Sequence, residues 1–264
     1  DFLIDVSKIE EKINKKTKAI IPVNLYGQSA DYEKINKIAK KFNLKVIEDC
    51  AQSAGSFYKG MPSGSHGDLA AFSFYPTKIL GAYGDGGMVV TNNKNYFIKA
   101  KKLRKYGMSK LYYSEFHGVN SRLDEVQAAI LNYQLSQLNQ NVIKRRRIAK
   151  IYNDNINNDK LIKPIESKNN FHGYYIYVVR HPQRNKLMNY LRNNEVFCNI
   201  SYPFPIHSMK GYKHLHKKNE KLKITDKVSK QIFSLPMYPE LKIKDVERVI
   251  KLINNFWNYL FFFL

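Results

Sequence analysis

Asp49 closes the short apolar run "KVIED", and Lys78 follows "AFSFY" after a turn that carries Pro76. In open α/β sheets ligands bind beyond the carboxyl ends of the strands, so an acid and an amine at two such ends can face one crevice. That pairing has a chemical use. A carboxylate against a pyridine nitrogen keeps it protonated, and a nearby lysine can hold the aldehyde of pyridoxal phosphate as a Schiff base. Ser73 offers a hydroxyl to a phosphate, and the glycines at 81, 84, 86 and 87 permit turns closed to residues with a Cβ. On composition and spacing alone, one Lys and one Asp near strand ends are more often surface charges, and "GDGG" is also an ordinary turn.

The elements that would position these residues can be read from periodicity. "AIIPVN" (19–24) is a strand candidate, and Asp31 to Phe42 carries Ile35, Ile38, Ala39 and Phe42 at helical spacing before "KVIED". Strand, helix, strand in that order predicts a parallel crossover and an α/β class. "LAAFSFY" and "GMVVT" are strand candidates flanking the lysine and glycines. Lys94–Tyr106 and Arg122–Leu138 read as helices, the second with Leu123, Val126, Ala129, Ile130 and Tyr133 on one face. The basic run "NVIKRRRIAKIYNDNINNDK" reads as a solvated helix leading into a smaller domain, with a nucleic-acid arm as the weaker alternative. A strand-like "YYIYVVR", a helix-like "QRNKLMNYLRNN", a short "VFCNI", the loop "SYPFPIHSMKGYKHLH" and a last helix, Lys244–Tyr259, complete an α+β second half. The expected division is a large domain over 1–140 and a smaller one over 141–264.

Of 264 residues, 44% are hydrophobic and 25% charged, enough for a buried core. The net charge of +22 invites a nucleic-acid reading. Against it, the excess lies in scattered lysines mixed with Asn and Ile, where phosphate and base readers favour Arg. No nucleic acid is expected as a partner. Two cysteines, Cys50 and Cys198, without a Cys-x-x-Cys, fit a reducing cytoplasm. The apolar end "FWNYLFFFL" is shorter than the roughly 20 residues that span a bilayer, so no membrane is expected, and it reads as a helix end on a core or partner. His214 and His216 sit in a Lys-rich loop without a clustered third ligand, so no metal is expected.

Four ordered segments, "VIEDCAQSAGSFYKG", "SGSHGDLAAFSFYPTKILGAYGDGGMVVTN", "LRKYGM" and "GVNSRLDEVQAAIL", resemble the DegT/StrS-type nucleotide-sugar aminotransferases. The resemblance is close through residue 140 and looser through "YYIYVVR", "SYPFPIH" and "SLPMYPEL". It implies the aspartate aminotransferase fold, fold type I of the pyridoxal 5'-phosphate-dependent transferases. By resemblance Lys78 is the Schiff-base lysine and Asp49 the acid on the pyridine nitrogen. Gln52 bonds the ring oxygen, Ala51 lies near a ring face, and Ser73 binds phosphate. Asn120 and Arg122 match positions that reach a neighbouring subunit's cofactor phosphate and substrate, which implies a homodimer with shared sites. Tyr202 and His207 fall in the substrate-side loop, where Ser201 replaces a histidine common in the family.

Within the family, Asp85 in "GDGG", where enzymes acting at C4 more often carry Glu, resembles enzymes that aminate C3 of a 3-keto nucleotide sugar, with glutamate as donor. A lysine at 78 favours transamination over the dehydratase branch, which has histidine there. Family members also carry an upstream Gly-Thr pair that cradles the cofactor phosphate, and the chain as given opens after it. The alternative expectation is therefore a catalytically impaired fragment or partner subunit that lends Asn120 and Arg122 to another chain. A 4-keto sugar aminotransferase is a further alternative.

Overall fold

The computed structural model describes residues 1–215 and 222–261. Two compact units divide the chain: Asp1–Ile143 with Glu166–Tyr175, and Lys144–Ile165 with Ile176–Leu264. The segment Glu166–Tyr175, which the sequence reading leaves in the second half, returns to the first unit.

The first unit is built on a four-stranded sheet in the order β1-β2-β5-β6. Strand β1 (Ala19–Ile20) leads through helix α1 (Tyr32–Lys41) to β2 (Lys45–Asp49), and β1 pairs parallel with β2. The crossover forms as its spacing requires, because Tyr32, Ile35 and Ala39 fall on one face of α1 and bury against Ile20, Leu44 and Val46. Asp31 caps the helix by accepting the N–H of Lys34 at 3.2 Å. Pairing in β1 stops early because Pro22 has no N–H to donate, and it resumes as an isolated bridge of Val23 to Asp49.

A small sheet follows, with β3 (Phe57–Tyr58) and β4 (Met61–Pro62). Strand β5 (Leu69–Ser73) then lies parallel to β2, with Asp49 opposite Ala71, and β6 (Gly87–Val90) lies antiparallel to β5, with Ser73 opposite Gly87. Helix α2 (Lys94–Leu103) is shorter than the sequence suggests. After it come β7 (Met108–Lys110) and β8 (Tyr113–Ser114).

One continuous helix, α3 (Glu125–Asn155), replaces two expected segments. Arg122 and Leu123 precede it, and on the apolar face Val126 is 64% and Tyr133 70% exposed. The basic half is a helix, as expected, but only one of its faces is solvated, with Lys144, Arg147 and Lys150 exposed. Val142, Arg145, Ile148, Ala149 and Tyr152 are all buried, and the guanidinium of Arg145 donates to the carbonyl of Met237 at 3.1 Å. Its charges mislead because arginine can bury its stem and place part of its head on a carbonyl. Strand β9 (Asn170–Phe171) joins the small sheet of β3 and β4.

In the second unit β10 (Tyr177–Arg180) pairs antiparallel with β11 (Ile232–Leu235). Helices α4 (Arg184–Asn193), α5 (Lys223–Ser229) and α6 (Ile243–Phe261) complete it. Its core holds Tyr177, Phe233, Leu187, Leu191, Ile253 and Phe256, all fully buried, and burying each large apolar side chain contributes about 1.5–3 kcal/mol. Within the apolar tail, Phe256 packs its ring against His181 and Tyr190. His216 and residues 262–264 lie outside the described residues. Among the described residues no helix is long and apolar enough to cross a membrane.

Candidate functional site

Strands β2 and β5 run parallel, so their carboxyl ends share one edge of the sheet. Asp49 is the last residue of β2 and its backbone is held on both sides. Its N–H donates to Pro22 O at 3.0 Å, its carbonyl accepts from Asn24 N–H at 3.0 Å, and the next amide, Cys50 N–H, reaches Ala71 O at 2.8 Å. The half-buried carboxylate accepts the N–H of Ala51 on Oδ1 at 3.0 Å. Its Oδ2 takes no hydrogen bond or ion pair among the described residues.

Lys78 follows β5 in a loop closed by Phe74. The N–H of Phe74 donates to Gly86 O and its carbonyl accepts from Ala82 N–H, both at 2.8 Å. Phe74, Leu80, Ala82 and Leu131 form a buried cluster beneath the loop. The lysine is half-buried, and no acid lies within ion-pair distance of it among the described residues. Its Nζ stands over the ring of Tyr175, 4.8 Å from the centroid. The loop glycines serve differently from the expectation. None of Gly81, Gly84, Gly86 and Gly87 adopts positive φ; at Gly81 an added Cβ would stand 2.7 Å from Pro76 O, so close approach is what excludes a side chain there.

Gln52 is 8% exposed, and its Oε1 accepts the N–H of Tyr26 at 2.7 Å. The carbonyl of Tyr26 in turn accepts the N–H of Tyr175 at 3.0 Å, and the Tyr175 hydroxyl lies 3.2 Å from Thr77 Oγ1. Gln52, Tyr26, Tyr175, Thr77 and Lys78 are thus one connected set. Sequence reasoning missed both tyrosines. Their only signal was an aromatic placed beside a glycine segment, in "LYGQ" and "HGYY".

Ser73 Oγ accepts the N–H of Tyr75 at 3.3 Å, which leaves its own O–H able to donate. Ala51 is half-buried between Asp49 and Gln52. Asn120 and Arg122 lie elsewhere on the first unit's surface. Asn120 makes an isolated bridge to Lys105, and exposed Arg122 stacks on Tyr106, donating to its hydroxyl at 3.2 Å. Tyr202 and His207 belong to the second unit. Tyr202 is 52% exposed, and His207 Nε2 lies 2.8 Å from Asp226 Oδ1. The structure therefore joins Asp49, Ala51, Gln52, Ser73 and Lys78 on neighbouring elements of one unit. It draws Asn120, Arg122 and His207 to partners of their own.

Behind the edge lies a buried polar layer that the sequence reading did not find. Alternation along β2 turns Glu48 away from Asp49, and Glu48 is fully buried. Its carboxylate accepts three backbone N–H groups, from Gly64 at 2.9 Å, His66 at 2.5 Å and Gly67 at 2.7 Å. These bonds offset the cost of taking a charge out of water. Buried Asn24 accepts from Ala30 N–H and the Tyr32 hydroxyl and donates to Ser63 Oγ at 2.8 Å. Beside it, burial pushes the Cys50 thiol up to about 12, so it stays protonated and unreactive. The available signal was an acid at an apolar-phase position followed by the donor-rich loop "SGSHGD".

This donor set fits a phosphorylated pyridine aldehyde. Among the described residues no carboxylate pairs with the amine of Lys78, Asp49 has an oxygen that could accept a ring N–H, and Ser73 has a hydroxyl that could donate to a phosphate. Among the described residues no three His, Cys, Asp or Glu side chains gather to hold a metal ion.

Residues 1–254 match the DegT/DnrJ/EryC1/StrS aminotransferase family. The chain is 44% identical over 261 residues to the dTDP-3-amino-3,4,6-trideoxy-alpha-D-glucose transaminase of Micromonospora megalomicea subsp. nigra, covering 97% of this chain and 70% of that protein. It is 46% identical over 255 residues to the dTDP-3-amino-3,6-dideoxy-alpha-D-galactopyranose transaminase of Aneurinibacillus thermoaerophilus, again covering 97% and 70%. Among solved structures it resembles S. venezuelae DesV in complex with a ketimine intermediate, with a TM-score of 0.94 and 32% identity over 96% of this chain and 69% of that one.

Proposed function

The chain belongs to the DegT/DnrJ/EryC1/StrS aminotransferase family, and from that membership we propose that it is a pyridoxal-phosphate-dependent aminotransferase that aminates C3 of a 3-keto nucleotide sugar. Glutamate is the amino donor, and the enzyme works as a cytoplasmic homodimer. Two relatives named as 3-amino-sugar transaminases, together with Asp85 after the lysine, support C3 over C4. A homodimer would also give exposed Arg122 and Asn120 a second chain to reach.

The observation that carries the reading is the shared edge: a half-buried amine with no acid partner among the described residues, five residues beyond a strand whose parallel neighbour ends in Asp49. When bound, pyridoxal phosphate supplies an aldehyde that takes up amines and a protonated ring that withdraws electrons from the reacting carbon. Lys78 Nζ would hold that aldehyde, and as a free amine it would carry the proton taken from Cα of glutamate to the cofactor carbon in one half-reaction and from that carbon to C3 of the sugar in the other. Asp49 would hold the ring nitrogen, Gln52, whose Oε1 is fixed by Tyr26 N–H, would hold the ring oxygen, and Ser73 would hold the phosphate. Tyr202 and His207 are assigned to the sugar side, with His207 oriented by Asp226.

The test is to load the chain with pyridoxal phosphate, reduce it with borohydride and map the modified peptide, then assay a dTDP-3-keto sugar with glutamate. The cofactor mass on the peptide bearing Lys78, absent in Lys78→Ala, together with 2-oxoglutarate release, is the expected result. Failure of the parent chain to take up the label would overturn the assignment.

A further inference from the structure

A transaminating lysine spends part of each cycle detached, and then it must neither swing into solvent nor be captured by an acid. We infer that Tyr175 is the positioning residue that holds the free amine of Lys78 between the two half-reactions. This rests on the aminotransferase reading above. Three observations carry it.

The Nζ of Lys78 lies 4.8 Å from the centroid of the Tyr175 ring, inside the distance at which an aromatic face attracts an ammonium group. No carboxylate competes for the amine among the described residues. A ring face holds the amine without an ion pair, so none has to break before the amine returns.

The ring is fixed by bonds of its own. Its hydroxyl lies 3.2 Å from Oγ1 of Thr77, the residue before the lysine, and its backbone N–H donates to Tyr26 O at 3.0 Å. Lys78 N–H is held by Tyr75 O at 2.8 Å. Both ends of the amine–ring contact are therefore anchored.

Tyr26 also donates to Gln52, so the resting place and the amide assigned to the cofactor ring share one backbone anchor. Tyr175 gains and loses no proton in this role. Its ring acts through Lys78 alone.

The test uses the whole chain without cofactor. Trace acetic anhydride modifies unprotonated, accessible amines, and peptide mass spectrometry gives the rate at Lys78 relative to exposed Lys186 as internal reference. Tyr175→Leu removes the ring face and is expected to raise the relative rate at Lys78 several-fold. Tyr175→Phe keeps the face, loses the Thr77 contact and is expected to stay near the parental rate. In the loaded enzyme, Tyr175→Leu lowers kcat several-fold with the sugar KM little changed, and Tyr175→Phe restores most of it. An unchanged Lys78 rate in Tyr175→Leu, or an equal rise in Tyr175→Phe, overturns the inference. Because the amine-labelling readout needs no cofactor, its failure is distinct from failure of the parent chain to accept the borohydride label.

Discussion

A Cβ placed on Gly27 would stand 2.9 Å from the backbone nitrogen of Tyr175, and Gly27 already occupies a φ of +104°. Two independent constraints thus meet at one residue: a backbone region closed to most side chains, and a contact too tight for a methyl group. Gly27→Ala is expected to destabilise the protein by about 1–3 kcal/mol, measured by urea unfolding. It should also weaken attachment of cofactor at Lys78, because relief of the clash displaces Tyr175. Unchanged values of both would show that the segment adjusts freely.

Asp49→Asn keeps an oxygen for the Ala51 N–H and replaces the charge and the second acceptor oxygen with an amide NH2. The variant should fold and melt close to the parent. Turnover should nevertheless fall by roughly 10²-fold or more, the scale on which a preorganised electrostatic partner acts. Steady-state assay beside a thermal melt separates the two effects, and near-parental turnover would remove Asp49 from its assigned role.

Glu48→Gln tests the layer behind the edge. The carboxylate accepts from three amides, and a glutamine would present its own N–H group to at least one of them. The expected loss is about 1–3 kcal/mol, read by chemical denaturation. Reduced protection of the Gly64 and Gly67 amides in hydrogen exchange would localise it.

His181 carries a pH dependence. Burial, aided by the charge of Lys160, holds its imidazole below the ordinary 6.5. The folded state therefore prefers the neutral ring more than the unfolded chain does. Its contribution is whole above 6.5 and is lost as the pH falls below that value through the folded-state pKa. His181→Asn preserves an acceptor for the Gln183 N–H, which bonds Nδ1 at 3.1 Å in the native protein. Melting temperatures taken across acid pH should decline less steeply in this variant. An identical slope would mean that another group titrates.

The crossover from β1 through α1 to β2 was legible because burial of one face leaves a regular mark on composition: Ile35 and Ala39 repeat as a buried face must. Lys78 and Asp49 were legible as words in a long resemblance more than as chemistry, since a single amine and a single acid carry little information by themselves. The misreading of α3 has a physical cause. Arg145 looks solvated in a basic run, yet it is buried and its guanidinium donates to a carbonyl 92 residues away, and no local pattern records that. Val126 and Tyr133 mislead in the opposite sense, with apolar spacing left exposed among the described residues. Tyr26 was invisible because it acts through its backbone N–H and carbonyl, which any residue type offers, and Tyr175 because its ring meets Lys78 from a segment 97 residues away, which no local pattern records.

Glu48 and Asp49 are neighbours in sequence with opposite duties, one locked among amides and the other turned to the open edge. Sliding β2 past β5 by a single position would exchange them. An unsatisfied anion would then sit in the interior and a bare amide cage beneath it. The alignment of these two strands is thereby policed by charge as well as by grease, and mispaired forms are penalised before any ligand arrives.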